Sequence, residues 1–239
     1  MKRRKRSAAA RLRSMWLLLL MLVIAAGVAG YFAVRWPALR PKHVVIIGNH
    51  AVSSRLIARR AAINARKNLW LQDMHSAAAR IAAIPQIGTV SIARSLPAGV
   101  TIRVTERVPF AAIVSGARRA IVDHDLRVLD AQFTAALPEL ATDVALPRPG
   151  AFILDRAVLR LRDDYDRLNA AHVIVAKLGY DRFNELVATT PRNVALLLGD
   201  DDDLARKIRL IGPILSQIGT RKIAAIDLRA PGTPVVVYR

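Results

Sequence analysis

The chain of 239 residues contains no cysteine, which rules out disulfides and thiolate metal centres without fixing a redox compartment. Its five histidines (His43, His50, His75, His124, His172) are scattered and show no metal-ligand spacing of the H-E-x-x-H kind. There is no glycine-rich loop to cradle phosphates and no nucleophile elbow, so a cofactor is not expected. Acids are missing from a long initial stretch: the first carboxylate is Asp73. A polar tail is also missing from the end, where "TPVVVYR" carries apolar β-formers to within one residue of Arg239.

What is present is basic and unevenly spread. The net charge is +19, and residues 1–34 contribute seven cations and no acid. Residues 35–110 carry +10, whereas residues 111–239 nearly balance at +2. Trp16 to Val34 form an uncharged run of 19 residues, and about 20 helical residues cross a ~30 Å hydrocarbon core. The cations before the run (Lys2 to Arg6, Arg11, Arg13) place the N-terminus in the cytoplasm by the positive-inside rule. Trp16, Tyr31 and Trp36 sit where interfacial aromatics anchor a span. A cleaved secretory signal is the alternative, with Gly27-Val28-Ala29 as its small-residue site. Apolar residues continue past that site through Tyr31, Phe32 and Val34, which favours a retained anchor. Topology and anionic lipid account for the leading cations, so nucleic acid is not expected as a partner.

Beyond the anchor, Val44–Ile47 read as a short buried strand stopped by Gly48-Asn49. Ser53 caps a helix expected to reach about Asn64, and Asp73 caps a second one closed by Pro85. "TVSIARS" and "GVTIRVTER" alternate as strands around the turn "SLPAG". The order is β-α-α-β-β, a sheet with one covered and one polar face.

With its "P-x-I-x-x-V" start of the second strand, its "R-S-L-P" hairpin and its "E-R-x-P-x-A" exit at Glu106, Arg107, Pro109 and Ala111, this segment resembles the POTRA domain of the FtsQ/DivIB family of bacterial cell-division proteins. The second half fits the same family: a strand ending "LLLG", acids, an amphipathic helix carrying Leu204, Ile208, Ile211, Leu215 and Ile218 with Gly219 behind it, then "IDLR" and a terminal strand. Pro213 inside that helix is expected to kink or split it. In the turn the family writes "V-D-x-x-G", Asp125 stands for the glycine, and the segment after "IDLR" departs from an aromatic followed by small residues.

The expected fold class is α+β: a basic tail (1–15), a transmembrane helix (16–34), a POTRA domain (42–110) and a second α+β domain with a mixed or antiparallel sheet (111–239). Within that last domain "FAAIVSGARRAIVDHDLRVL" reads as a hairpin and "LPEL" at Leu137–Leu140 as a loop. Leu154, Val158, Leu161, Tyr165 and Leu168 form a helical stripe. Val173–Ala176, Glu185–Thr189 and Val194–Leu198 read as strands, as do "KIAAIDLR" and "TPVVVYR".

Three acidic groups could suggest chemistry. Asp200–Asp203 lack the alternation and distal Glu of a calcium loop and read as a helix N-terminus. Adjacent side chains of Asp123-His124-Asp125 diverge on a turn. Asp163, Asp164 and Asp166 lie among Arg160, Arg162 and Arg167 as a solvated, paired face.

The resemblance implies a non-enzymatic, single-pass type II protein of the inner membrane at the division septum. It implies binding to a complex of FtsB and FtsL through the terminal strand, with further division proteins meeting the POTRA domain. Thr233, Val235, Val236, Val237 and Tyr238 are then the contact strand, Arg229 an ion-pair donor to the partner and Arg182 a second one. A membrane-anchored periplasmic cell-wall enzyme is the alternative, which a deep polar pocket in residues 110–239 would favour. The topology can be checked directly. A reporter fused after Arg239 should be active only when exported; activity confined to the cytoplasm overturns the orientation, and a mature N-terminus near Gly30 supports the cleaved signal.

Overall fold

In this computed structural model the described residues are 8–130, 136–200, 202–218 and 221–239. The cations Lys2 to Arg6, Asp201 and Gly219 lie outside them. The chain is α+β and forms two compact units, residues 1–82 with 89–105, and residues 83–88 with 106–239.

The first unit begins with helix α1 (Ala8–Arg35). Its segment Arg13–Phe32 is long and apolar enough to cross a membrane. Strand β1 (His43–Ile47), helices α2 (Ser54–Ala61) and α3 (Met74–Ala82), and strands β2 (Ile87–Ser95) and β3 (Gly99–Glu106) follow in the expected order. Leu56 N–H donates to Ser53 Oγ at 3.3 Å, and Ser76 N–H to Asp73 Oδ1 at 3.1 Å, so both caps form. Helix α2 stops before Asn64, because Ala62 adopts a left-handed conformation with φ 49°. Gly48 cannot be replaced without backbone movement: at φ +87°, an added Cβ would meet the Val104 carbonyl oxygen at 2.1 Å.

The sheet order is β1-β3-β2, with β1 parallel to β3. Strand β1 is therefore an edge, not the buried strand its apolar run suggests. Val44, Val45 and Ile47 are exposed, while Ile57, Leu69, Ile81 and Ile102 fill the interior.

The second unit holds β4 (Pro109–Ser115), β5 (Arg118–Asp123), β6 (Val128–Leu129), β7 (Glu139–Ala141), α4 (Arg156–Ala170), β8 (Lys177–Tyr180), β9 (Leu186–Thr189), β10 (Ala195–Gly199), α5 (Leu204–Ile218), β11 (Ile223–Asp227) and β12 (Val235–Tyr238). Among the described residues they make a mixed nine-stranded sheet of order β12-β11-β10-β9-β8-β7-β4-β5-β6. Leu140 and Leu178 in the centre, Leu161 and Leu168 of α4, and Ile208 and Ile211 of α5 share one core.

Several expectations are corrected here. "LPEL" is no loop: β7 lies mid-sheet, parallel to both β4 and β8. The strand expected at Val173–Ala176 begins only at Lys177. Leu154 precedes α4 and is exposed, because Asp155 caps the helix by accepting from Ala157 N–H at 2.8 Å. Pro213 does not split α5, which runs through it as one element. In the β5–β6 turn the left-handed residue is Leu126, one place beyond Asp125, at φ 61° and fully buried. Its side chain is held in the core, where burial offsets a conformation disfavoured outside glycine.

The Asp123-His124-Asp125 side chains do not all diverge. Asp123 and Asp125 converge on Arg107 Nη1, while His124 Nε2 turns to Asp166 Oδ2 at 3.0 Å. Burial works against the Arg107 charge, but bonds to Asp123 and the fields of both acids raise its pKa overall. Arg107 of "E-R-x-P" thereby clamps the turn that follows β5.

Asp164 belongs to no solvated face either. It is 1% exposed, and its Oδ2 accepts from the Tyr180 hydroxyl at 2.7 Å. Tyr180→Phe removes a donor from this buried carboxylate and should destabilise the unit by about 1–3 kcal/mol. Asp163→Ala, at an exposed position of the same helix, should stay within about 0.5 kcal/mol. Denaturant unfolding of the two variants in detergent checks the contrast.

Candidate functional site at the terminal strand

Strand β12 ends the sheet. It pairs antiparallel with β11, setting Val235 opposite Asp227, Val236 opposite Ile226, Val237 opposite Ala225 and Tyr238 opposite Ile223. The register shifts between Ile223 and Ala225, so the edge carries the local irregularity that the sequence reading did not foresee. Val236 packs against the core, whereas Val235, Val237 and Tyr238 are each about half exposed. Strict alternation would have put Tyr238 inside with Val236; the register shift lies beside it.

On the outer face Val235, Asp227, Leu197 and Val187 form one row across four strands. A second row runs Val237, Ala225, Ala195 and Thr189. These side chains are small or aliphatic apart from Asp227 and Thr189, and all lie between half-buried and exposed. The edge of β12 thus borders an apolar strip.

One end of the sheet collects the predicted cations. Register places the end of β8, the start of β9, the ends of β10 and β11 and the start of β12 together. Arg229 follows β11 there. Its Nη2 donates to Asp227 Oδ2 at 2.6 Å, its Nε to Asp227 Oδ1 at 3.0 Å, and its Nη1 to Glu185 Oε2 at 3.4 Å. Its stem lies on the end of β10, where Gly199 has φ +72° and an added Cβ would sit 3.0 Å from Arg229 Cγ. The fork is thus occupied within the chain while half its surface faces solvent.

Arg182 is in the β8–β9 turn, its guanidinium 4.7 Å from the Phe183 ring centre. Asp181 Oδ1 shapes that turn by accepting from Phe183 N–H at 2.8 Å and Glu185 N–H at 3.0 Å. Thr233 is exposed in the β11–β12 connection, its N–H bonded to the Ala230 carbonyl at 3.0 Å. Arg182, Arg229, Thr233 and Val235 thus share one end of the sheet, and Tyr238 lies at the other.

Sequence reasoning missed four participants: Asp227, Glu185, Gly199 and Lys207. Asp227 was detectable, since it stands two positions before Arg229 in "IDLR", close enough for a local chelate. Lys207 was not: one buried lysine in an amphipathic helix looks like any other. It is 1% exposed, and its Nζ donates to Asp200 Oδ1 at 2.9 Å and to the Asp200 carbonyl at 3.0 Å. Bonding to Lys207 holds the Asp200 carboxyl below its ordinary pKa, and the contact ties down the loop that follows Gly199.

Trp16, Tyr31 and Trp36 are all exposed on or beside α1, and a rise of 1.5 Å per residue puts the two tryptophans roughly 30 Å apart along the axis. In the second unit a cleft of about 360 Å³ at the other end of the strand order is lined by Arg118, Arg119, Asp130 and Pro147. Among the described residues no cluster of three or more His, Asp or Glu could hold a metal.

Residues 39–107 match the family model described as the POTRA domain, FtsQ-type. No curated protein matches the chain.

The Asp227–Arg229 chelate has a defined pH window. The bond from Arg229 lowers the Asp227 pKa below its ordinary 3.8, against an opposing effect of burial. A depressed acid contributes fully above its unfolded pKa and loses that contribution as pH falls through the folded value. The Arg229 Nε resonance should therefore hold steady from neutrality down to pH 3.8 and move only below it. Movement at higher pH would assign control of Arg229 to another group.

Proposed function

We propose that this chain, whose FtsQ-type POTRA module supports its place in the FtsQ/DivIB family, is a non-enzymatic scaffold of the division septum. Its module and the one helix among the described residues that is long and apolar enough to cross a membrane fit a single-pass inner-membrane protein of the division machinery. On this reading the N-terminus is cytoplasmic, and the POTRA module and the second compact unit are extracytoplasmic. The partner is a complex of the bitopic proteins FtsB and FtsL, which presents a strand to the free edge of β12.

The observation that carries the proposal is the placement of β12 at the sheet end, with Val235, Val237 and Tyr238 half exposed. An added strand would bond the outward backbone groups, and its alternate side chains would lie on the apolar strip beside Val235 and Val237. Arg229 enters differently from a free cation. Its guanidinium already chelates Asp227, so a partner carboxylate would share or exchange it. Such an exchange favours specificity over raw affinity, because the charge is paired in both states. Arg182, at the same end, would meet the flank of the added strand.

The test uses the full chain and a partner complex in detergent, with the melting temperature measured beside binding. Val236→Pro removes a backbone donor. Lost binding at an unchanged melting temperature supports the open edge; unfolding shows that the strand is needed by its own sheet. Tyr238→Ala and Arg229→Glu should each weaken binding roughly tenfold, or about 1.4 kcal/mol. Normal binding by both overturns the proposal.

A further inference from the structure

The end of α1 is held by a side chain of the POTRA module. Asn68 Nδ2 donates to the Val34 carbonyl at 3.1 Å, across 34 positions of sequence. Val34 lies in the last turn of α1, where carbonyls have no partner inside the helix. Such a carbonyl at the border of an apolar span needs a donor, because hydrocarbon supplies none. The other atom of the same amide, Asn68 Oδ1, accepts from Trp70 N–H at 2.9 Å. It caps a short 3-10 turn, Leu69–Leu71. One asparagine therefore ties the end of the apolar helix to the start of this turn.

The turn is split in character. Leu69 is fully buried in the module, whereas Trp70 is 43% exposed and Leu71 66% exposed. Residues two positions apart span at most ~7 Å, so Trp70 lies within that distance of the residue that grips Val34. Cations surround it. Arg66 and Lys67 immediately precede Asn68 and are exposed. The Arg94 guanidinium is 5.8 Å from the Trp70 ring centre, and its Nη2 donates to the Gln72 carbonyl at 2.5 Å. An exposed indole, an exposed leucine and flanking cations match the layer where apolar bodies meet charged head groups.

We propose that Trp70 and Leu71 dock into the interfacial layer of the leaflet from which α1 emerges, with the exposed Arg66 and Lys67 facing lipid phosphates and the partly buried Arg94 backing the indole. The occupant is lipid rather than a protein because the turn is fastened to the very end of the apolar segment Arg13–Phe32. A bilayer centred on that segment, with a hydrocarbon core of ~30 Å, ends at this level. The net +10 of residues 35–110 complements anionic head groups. Docking holds the POTRA module against the membrane by a second contact besides the chain itself. It requires that α1 spans the bilayer and does not depend on the partner proposed for β12.

The chain has three tryptophans and no cysteine, which suits two readouts on the full-length protein in vesicles of phosphatidylethanolamine and phosphatidylglycerol. In Trp16→Phe/Trp36→Phe, Trp70 is the remaining indole. Lipids brominated near the head group should remove most of its fluorescence, and aqueous acrylamide should remove little. Quenching by acrylamide but not by brominated lipid overturns the proposal. Protection from both also overturns it, since protein would then cover the indole. In the parallel Trp36→Phe/Trp70→Phe variant, brominated lipid should quench Trp16; if it does not, the span on which docking depends is absent and the proposal falls. The native tryptophans stay in place for the second readout, a spin label on Leu71→Cys. It should be more accessible to oxygen than to a water-soluble nickel chelate, the reverse of a label on Ser91→Cys in β2. Equal behaviour of the two labels overturns the docking.

Discussion

A strand can bond through only two edges, and its backbone groups must be satisfied by a neighbouring strand or by water. The second unit is organised around that constraint. Its sheet puts β7, a strand of three residues, between two parallel neighbours. It covers one face with α4 and α5 and, among the described residues, leaves β12 with a single neighbour. Natural edges are commonly shielded by charge, by proline or by irregularity. Here Pro234 precedes β12, the ladder irregularity lies towards its far end, and Arg239 follows, its guanidinium bonded to the Asn193 carbonyl at 2.7 Å. The shielding is concentrated at the two ends, and the middle, Val235 to Val237, carries no charge. Such an edge is short enough to stay soluble and apolar enough to accept a strand.

The ionic groups around this edge are paired internally. Arg229 is chelated by Asp227 and touches Glu185, and Lys207 is buried against Asp200. The exposed pairs contribute little to stability, since solvent screens them. Their effect is positional. The Arg229 stem fits only because Gly199 has no Cβ, and the loop after Gly199 is anchored by the lysine beneath it. A side chain positioned in this way loses less freedom on binding than a free arginine would. On the proposed reading, the chelate is preorganisation of the site.

How much of this was legible in the sequence depended on whether the signal was local. The apolar run, the caps at Ser53 and Asp73 and the alternation of β2 and β3 were all readable, because each depends on neighbours within a turn or a strand. Strand β7 was not, because three residues beginning with Glu139 have no pattern of their own and become a strand only between β4 and β8. The exposure of β1 was misread for a related reason: an unbroken apolar run fits a buried strand and an edge equally well, and only the order β1-β3-β2 decides. Asp164 looked like a surface acid because its hydroxyl partner, Tyr180, lies 16 positions away on another element. The left-handed turn residue was placed one position early: counted from Val122 and Asp123, the pattern "V-D-x-x-G" puts its glycine at Leu126, where the left-handed conformation is found. At the candidate site the terminal strand was legible and so was Asp227 beside Arg229, but Glu185 and Gly199, which complete the surroundings of Arg229, lie on other elements.

The anchor and the short edge also belong to one physical argument. A four-residue strand offers few outward backbone bonds, each contributing a net ~0.5–1.5 kcal/mol. Ordering a partner segment against it costs a comparable amount, so the contact alone is weak in free solution. Confinement to a membrane changes the comparison without any new contact. When both chains are held in the same bilayer, encounter becomes a search within a thin layer, and the effective concentration rises. The gain depends on whether the tethers allow the two strands to meet at the same height above the lipid. On the proposed function, the membrane anchor raises the frequency of encounter, and the open edge of the second unit decides what can bind there.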